Sequence, residues 1–210
     1  MRILLGKLQG GCMEGVMAGV RRFTRWGLWF GGALVLVAAI IIGIDVVMRK
    51  FFTASIGGAD ELAGYSLAIG TAWGLGAALV DRAHIRIDSL YVLFPRKLRL
   101  TLDVAALVLF VTFFGIMGWY GLGVLEQSWT SGSRSQSALE IPTVIPQLLW
   151  MLGLLGFVIV GVLLLLYALQ LGLRGDLGGM GRAIGTRSAE EEVEDEIRDI
   201  ESRRDGGARG

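Results

Sequence analysis

Four long stretches without any charged residue constrain this sequence more than any other feature. They cover residues 26–44, 62–80, 104–125 and 141–173, and each is at least 19 residues long. A helix rises about 1.5 Å per residue, so 19 residues extend for about 28 Å, close to the ~30 Å hydrocarbon core of a bilayer. Soluble proteins rarely contain even one such stretch. The sequence therefore predicts an all-α integral membrane protein with four transmembrane helices.

The chain divides by composition into three parts. Residues 1–25 form a basic leader, residues 26–172 form the four-helix membrane domain, and residues 173–210 form a charged tail. Within the membrane domain we place the spans at about residues 26–48, 62–80, 101–125 and 146–171. We expect the first span to be retained, because its apolar stretch is too long for a cleaved signal peptide.

Lysine and arginine are distributed unevenly between the predicted loops. Five lie before the first span, two in the first loop, five in the second loop, one in the third loop and seven after the last span. Basic residues of short loops accumulate on the cytoplasmic side of a membrane. Both termini and the second loop are therefore predicted to be cytoplasmic.

The sequence lacks the patterns of a catalytic or metal-binding site. It contains no nucleophile–histidine motif, no metal-ligand spacing and no phosphate-binding loop. The single histidine excludes paired haem ligands, and the single cysteine, Cys12, excludes an internal disulfide. A formal net charge of +1 gives no support for nucleic-acid binding. We therefore expect a protein that is not an enzyme and that carries no cofactor or metal.

Charged residues lie only at the ends of the predicted spans, which argues against transport by this chain alone. Transporters usually carry ionisable groups or broken helices near the bilayer midplane. Here Asp45 and Arg49 lie four residues apart at the end of the first span, and Glu61 lies at the beginning of the second. Asp45 and Arg49 either pair locally or contact a partner subunit. All three are candidate partner-binding residues.

Two further features of the second span are candidate contact sites. Gly74 and Gly76 belong to a face of small residues, which favours the close approach of another helix over the lining of a pore. After the span, His84, Arg86 and Asp88 alternate with isoleucines. This segment is either a short amphipathic connector on the membrane surface or a contact for a partner subunit.

In their order along the chain, these motifs resemble the small membrane subunit, of the DctQ type, of tripartite ATP-independent periplasmic (TRAP) transporters. The resemblance covers about residues 26–172. It rests on residues 45–49, 60–62, 76–78, 84–88 and 141–142, together with Pro95, Arg99 and Asp103. Met151 stands where that family often has a second proline in the last span.

The resemblance implies a non-catalytic small permease subunit of a sodium-coupled secondary transporter for organic acids. It implies a multi-pass protein of the bacterial inner membrane, surrounded by membrane lipid, that scaffolds a large multi-span permease subunit. A periplasmic solute-binding protein would deliver the substrate to that large subunit. A membrane assembly factor or chaperone is the alternative. An enzyme anchor or a self-sufficient exporter would need histidine pairs or intramembrane acids, which the predicted spans lack.

Overall fold

A computed structural model describes residues 2–81, 94–185 and 197 of the chain. Five helices follow one another in this part: α1 (Arg2–Phe52), α2 (Ala59–Val80), α3 (Arg96–Ser131), α4 (Val144–Leu173) and α5 (Leu177–Ile184). The only β-type pairing among the described residues is an isolated bridge between Arg134 and Pro142. The predicted all-α class is therefore confirmed for the described residues.

Four of these helices are long and apolar enough to cross a membrane, which confirms the predicted number of spans. The candidate spans are Gly15–Phe52, Ala59–Val80, Lys97–Ser131 and Val144–Leu173. Helix α1 contains 51 residues, so it extends for about 76 Å and is much longer than a bilayer core is thick. The basic leader and the first span therefore lie on one continuous helix, and the division at residue 25 stays a prediction.

The four long helices pack in a spatial order that differs from their order in the chain. Helix α1 packs along α2, α2 packs along α4, and α4 packs along α3. Helix α4 is the most buried of the four, whereas much of α1 and α3 is exposed and apolar. Exposed apolar side chains suit a lipid environment or another membrane subunit. The chain thus presents broad apolar outer faces on α1 and α3, and α4 adds a further row of exposed apolar side chains.

The main hydrophobic core lies where α3, α4 and α5 meet, and Val20 of α1 and Leu79 of α2 also belong to it. Phe157 of α4 is 1% exposed, and the ring of Phe114 on α3 packs edge-on against it with centroids 4.7 Å apart. Edge-to-face packing stabilises such a pair beyond the area that it buries. Met180 and Ile184 of α5 belong to the same core. The first part of the segment predicted as a charged tail therefore packs against the membrane helices.

A tight turn connects α4 to α5. Gly175 adopts a φ of +76°, in the left-handed region that glycine enters without a steric penalty. The next residue, Asp176, begins α5 by accepting a 2.7 Å hydrogen bond from the Gly179 N–H. A carboxylate in this position satisfies one of the free N–H groups at the start of a helix. Together these residues direct α5 back onto the core.

At the opposite end, the loop between α1 and α2 packs against the loop between α3 and α4. The Ala138 N–H donates a 3.1 Å hydrogen bond to the Gly57 carbonyl oxygen. Gly57 has a φ of +71°, and the Leu139 side chain occupies the space in which a side chain at Gly58 would lie. The glycine pair therefore allows the two loops to make close contact.

Candidate partner-binding site

Asp45 is a carboxylate near the end of α1 that is only 1% exposed. Its Oδ1 accepts hydrogen bonds from Ser55 Oγ at 3.0 Å and from the Ile56 N–H at 2.6 Å. Its Oδ2 accepts a 2.6 Å hydrogen bond from Arg49 Nε and forms an ion pair with the same guanidinium. The carboxylate therefore attaches the α1–α2 loop to the last turns of α1.

Arg49 lies between the buried Asp45 carboxylate and the exposed Asp60 in the first turn of α2. Its side chain is half exposed, and its Nη2 lies 3.8 Å from Asp60 Oδ2. Asp60 is 85% exposed, so water weakens this second contact. The structure thus contains the local Asp45–Arg49 pair, while a contact of either residue with a partner subunit stays a prediction.

We expect Asp45→Ala to lower the Tm of the detergent-solubilised chain by several degrees, and Asp60→Ala to change it little. The first substitution removes the acceptor that the Ile56 N–H, the Ser55 hydroxyl and the Arg49 guanidinium share. The second removes only an exposed contact. Thermal unfolding of both variants in one detergent makes the comparison. Equal Tm values for the two variants would show that the loop is held without Asp45.

Glu61 connects the start of α2 to the loop between α3 and α4. Its carboxylate accepts a hydrogen bond from the Tyr65 hydroxyl one turn later in α2. Ser135 and Ser137 of the α3–α4 loop lie close to the same carboxylate. Glu61 therefore contributes to the contact between the two outer loops. These contacts within the chain do not test the predicted contact of Glu61 with a partner subunit, which stays a prediction.

The small-residue face of α2 packs against α1 of the same chain. A Cβ atom added to Gly31 would lie 2.6 Å from the Gly70 carbonyl oxygen, so the two backbones are in direct contact. A Cβ on Gly76 would lie 3.2 Å from Thr24 Cγ2, whereas one on Gly74 would meet nothing nearer than 3.9 Å. Gly76 is thus inside the α1–α2 contact and Gly74 is at its edge. Their role toward a partner subunit stays a prediction.

Trp73 joins three helices, and the sequence patterns did not single it out. Its indole Nε1 donates a 2.9 Å hydrogen bond to the Leu149 carbonyl oxygen in α4. Gly153, one turn further along α4, gives the indole access, since a Cβ there would lie 2.6 Å from Trp73 Cδ1. From α1, the Phe30 ring packs edge-on against the indole with centroids 5.1 Å apart.

A weak sequence signal for this contact exists. Tryptophan in membrane proteins is enriched at the two interfaces, where the polar N–H reaches water or headgroups. Trp73 instead lies inside the second span, within Ala59–Val80, where its N–H needs a protein acceptor. A tryptophan away from the interface therefore indicates a helix contact, although it does not indicate which helix supplies the acceptor.

The predicted candidates His84, Arg86 and Asp88 lie outside the described residues. Their role as a contact for a partner subunit stays a prediction. In the described ranges 2–81 and 94–185, no group of three or more histidine, cysteine, aspartate or glutamate side chains could hold a metal ion. Around Asp45 the polar chemistry consists of hydrogen bonds and an ion pair that hold the α1–α2 loop to the end of α1, and at Glu61 it includes a hydrogen bond within α2.

The fold, and the hydrogen bonds between the loops and the helix ends, define a membrane protein with four packed spans. One protein-family model matches the chain, and it covers residues 21–171; its description is tripartite ATP-independent periplasmic transporters, DctQ component. The chain therefore belongs to the DctQ family, the small permease component of TRAP transporters. The resemblance found in the sequence is thus confirmed. Neither the curated proteins nor the solved structures contain a match to the chain.

The family and the four apolar helices together indicate where the chain is located and what its general role is. It is a multi-pass protein of the bacterial inner membrane, as predicted, and a component of a transporter. Proteins of this family work with a large permease subunit and a periplasmic binding protein. The specific interactions of this chain are the subject of the proposal that follows.

Proposed function

We propose that this chain is the non-catalytic small permease subunit that scaffolds the large subunit of a sodium-coupled, ATP-independent transporter for organic acids. The observation that carries the proposal is the family match over residues 21–171. In this assignment the large permease subunit binds the substrate and moves it across the membrane. A periplasmic solute-binding protein delivers the substrate to that subunit.

The distribution of charge and packing in the chain supports a scaffolding role. Charged side chains lie only near the ends of the four spans, so the middle of each span offers no charged group to a substrate or coupling ion. Direct backbone contact between Gly31 and Gly70, and the Trp73–Leu149 hydrogen bond, hold three of the spans in fixed positions. The apolar outer faces of α1 and α3 are available to a larger membrane subunit or to lipid.

The proposal includes an orientation in which both termini face the cytoplasm, supported by the uneven distribution of lysine and arginine. In a Cys12→Ser background, Gln136→Cys tests the α3–α4 loop and Lys97→Cys tests the start of α3; both positions are exposed. An impermeant thiol reagent added to intact cells should label only position 136. Labelling of position 97 alone would establish the reverse orientation.

The central test of the proposed function is purification of the tagged chain from its native membrane in a mild detergent. We expect an equimolar complex with a large multi-span membrane protein. Reconstituted with the solute-binding protein, this complex should take up an organic acid only when a sodium gradient is applied. The small chain alone should show no uptake, because the middle of each of its spans carries no charged side chain.

Three results of this purification distinguish the competing assignments. Sodium-driven uptake by the small chain alone would contradict a non-catalytic role. A large subunit that transports at full rate after removal of the small chain would identify the small chain as an assembly factor or chaperone. Uptake driven by a proton gradient and indifferent to sodium would refute the proposed coupling ion while leaving the scaffold role in place.

A further inference from the structure

A cleft of about 610 Å³ lies along α1 where the basic leader meets the start of the apolar stretch. The described residues that line it are Ala18, Arg21, Arg22, Arg25, Trp26 and Trp29. They form two neighbouring rows, residues 18, 22 and 26 and residues 21, 25 and 29, with four positions between successive members, so they lie on one face of the helix. The cleft thus combines three guanidinium groups with two indole rings in a short segment.

The three arginines of this cleft concentrate positive charge on a short segment of α1. All three are exposed, and none of them forms an ion pair with any described residue. Arg21 and Arg25 are four residues apart, a spacing at which like charges destabilise a helix. An anion bound between them would remove this repulsion. Guanidinium groups are well suited to phosphate because their N–H donors match its oxygen atoms.

The same face continues from the arginines into tryptophan and then into aliphatic side chains. Trp26 and Trp29 are 73% and 75% exposed, and further along the face lie the exposed Leu36 and Ile40. From Trp29 to Ile40 the helix rises about 16 Å, close to half of a ~30 Å hydrocarbon core. Along this face, charged, aromatic and aliphatic side chains therefore follow one another in the same order as the headgroup, glycerol region and acyl chains of a lipid.

We propose that this face of α1 is a binding site for an anionic phospholipid of the phosphatidylglycerol or cardiolipin class. The arginines hold the headgroup phosphate, the tryptophans lie beside the glycerol region, and the acyl chains follow the aliphatic surface toward Ile40. The aliphatic continuation favours a lipid over a free anion, which would occupy the arginines alone. The proposal depends on the α1 surface and is independent of the proposed transport function.

Quenching of tryptophan fluorescence by lipids brominated on their acyl chains tests the proposal. The full-length chain is reconstituted in bilayers that contain either brominated phosphatidylglycerol or brominated phosphatidylcholine at equal mole fraction. One basic residue near an anionic surface corresponds to about a five-fold change in affinity. We therefore expect wild-type protein to prefer brominated phosphatidylglycerol by about five-fold or more.

Two sets of variants separate the site from the general charge of the protein. The variant Arg21→Gln/Arg22→Gln/Arg25→Gln should lose the preference, while replacement of the same arginines by lysine should retain most of it. Three other exposed basic residues provide a matched control, Lys50→Gln/Lys97→Gln/Arg174→Gln. This control should behave as wild type, because it removes the same amount of charge from other surfaces.

The tryptophans report where the lipid binds, even if an arginine variant fails to insert. Trp26→Phe/Trp29→Phe should remove the quenching that is specific to phosphatidylglycerol. Trp119→Phe/Trp129→Phe should leave it unchanged, since these exposed tryptophans lie toward the other end of the spans. An unchanged preference in the glutamine variant, or loss of it in the matched control, would overturn the site. So would absence of quenching at Trp26 and Trp29 in the intact transporter, because protein would then cover this face.

Discussion

Gly31→Leu should destabilise the chain strongly, whereas Gly32→Leu should leave it folded. A Cβ at Gly31 would lie 2.6 Å from the Gly70 carbonyl oxygen and 3.0 Å from the Gly70 Cα, so α1 and α2 must separate to admit it. Overpacking typically costs about 1–3 kcal/mol, and the upper end applies because the neighbour is backbone, which cannot rotate away. A Cβ at Gly32 would meet nothing within 4 Å.

The adjacent position makes Gly32→Leu a matched control. Both substitutions replace glycine by a residue that favours helix, by up to about 1 kcal/mol, so propensity alone would stabilise both variants. Unfolding of the purified variants in a mixed-detergent titration, together with their yield from membranes, separates the steric effect from propensity. If the two variants unfolded at the same detergent ratio, the close contact between Gly31 and Gly70 would not exist in the membrane.

Trp73→Ala should produce the second large loss of stability, by about 3–5 kcal/mol. The substitution empties the space between α1, α2 and α4 and removes the hydrogen bond to the Leu149 carbonyl oxygen. Trp73→Phe should lose about 1 kcal/mol from the hydrogen bond and a further amount from the smaller ring. The same unfolding titration measures both variants.

Trp119→Ala provides the control for loss of an indole ring without loss of helix packing. Trp119 is 75% exposed at the outer surface of α3, so its removal should change stability little. The expected order of stability is wild type and Trp119→Ala, then Trp73→Phe, then Trp73→Ala. A Trp73→Ala variant as stable as Trp119→Ala would mean that α2 and α4 are held together by other contacts.

Much of the membrane architecture could be predicted from particular residues. The charge-free stretches predicted four spans because each backbone N–H and C=O in lipid must be satisfied within a helix, and a charged side chain there is expensive. The spacing of Asp45 and Arg49 allowed a local pair, one of two interpretations, since residues four apart share a helix face, and the structure contains that pair. The glycines of α2 indicated a close helix neighbour, because small residues let backbones approach.

The partners of these same residues could not be predicted, because they come from distant parts of the chain. The glycine face did not indicate that α1 supplies its neighbour or that Gly70 makes the closest approach. A local pair with Arg49 was one interpretation of Asp45, but no pattern indicated that Ser55 and Ile56 of the following loop donate hydrogen bonds to its Oδ1. Trp73 depends on a backbone carbonyl far away in the sequence, and no pattern in either segment records that pairing.

By itself, the sequence determined the number of spans, the family and the polar character of the helix ends. These properties follow from local composition. The thickness of the hydrocarbon core sets the length of an uncharged helix, and the cost of placing a charged side chain in hydrocarbon keeps charge out of the middle of that helix. Only the tertiary structure decided the packing order α1, α2, α4, α3 and the return of α5 onto the core. Lipid tails are as apolar as the spans, so hydropathy does not select neighbours. Close packing and individual hydrogen bonds, such as those of Gly31 and Trp73, select them instead.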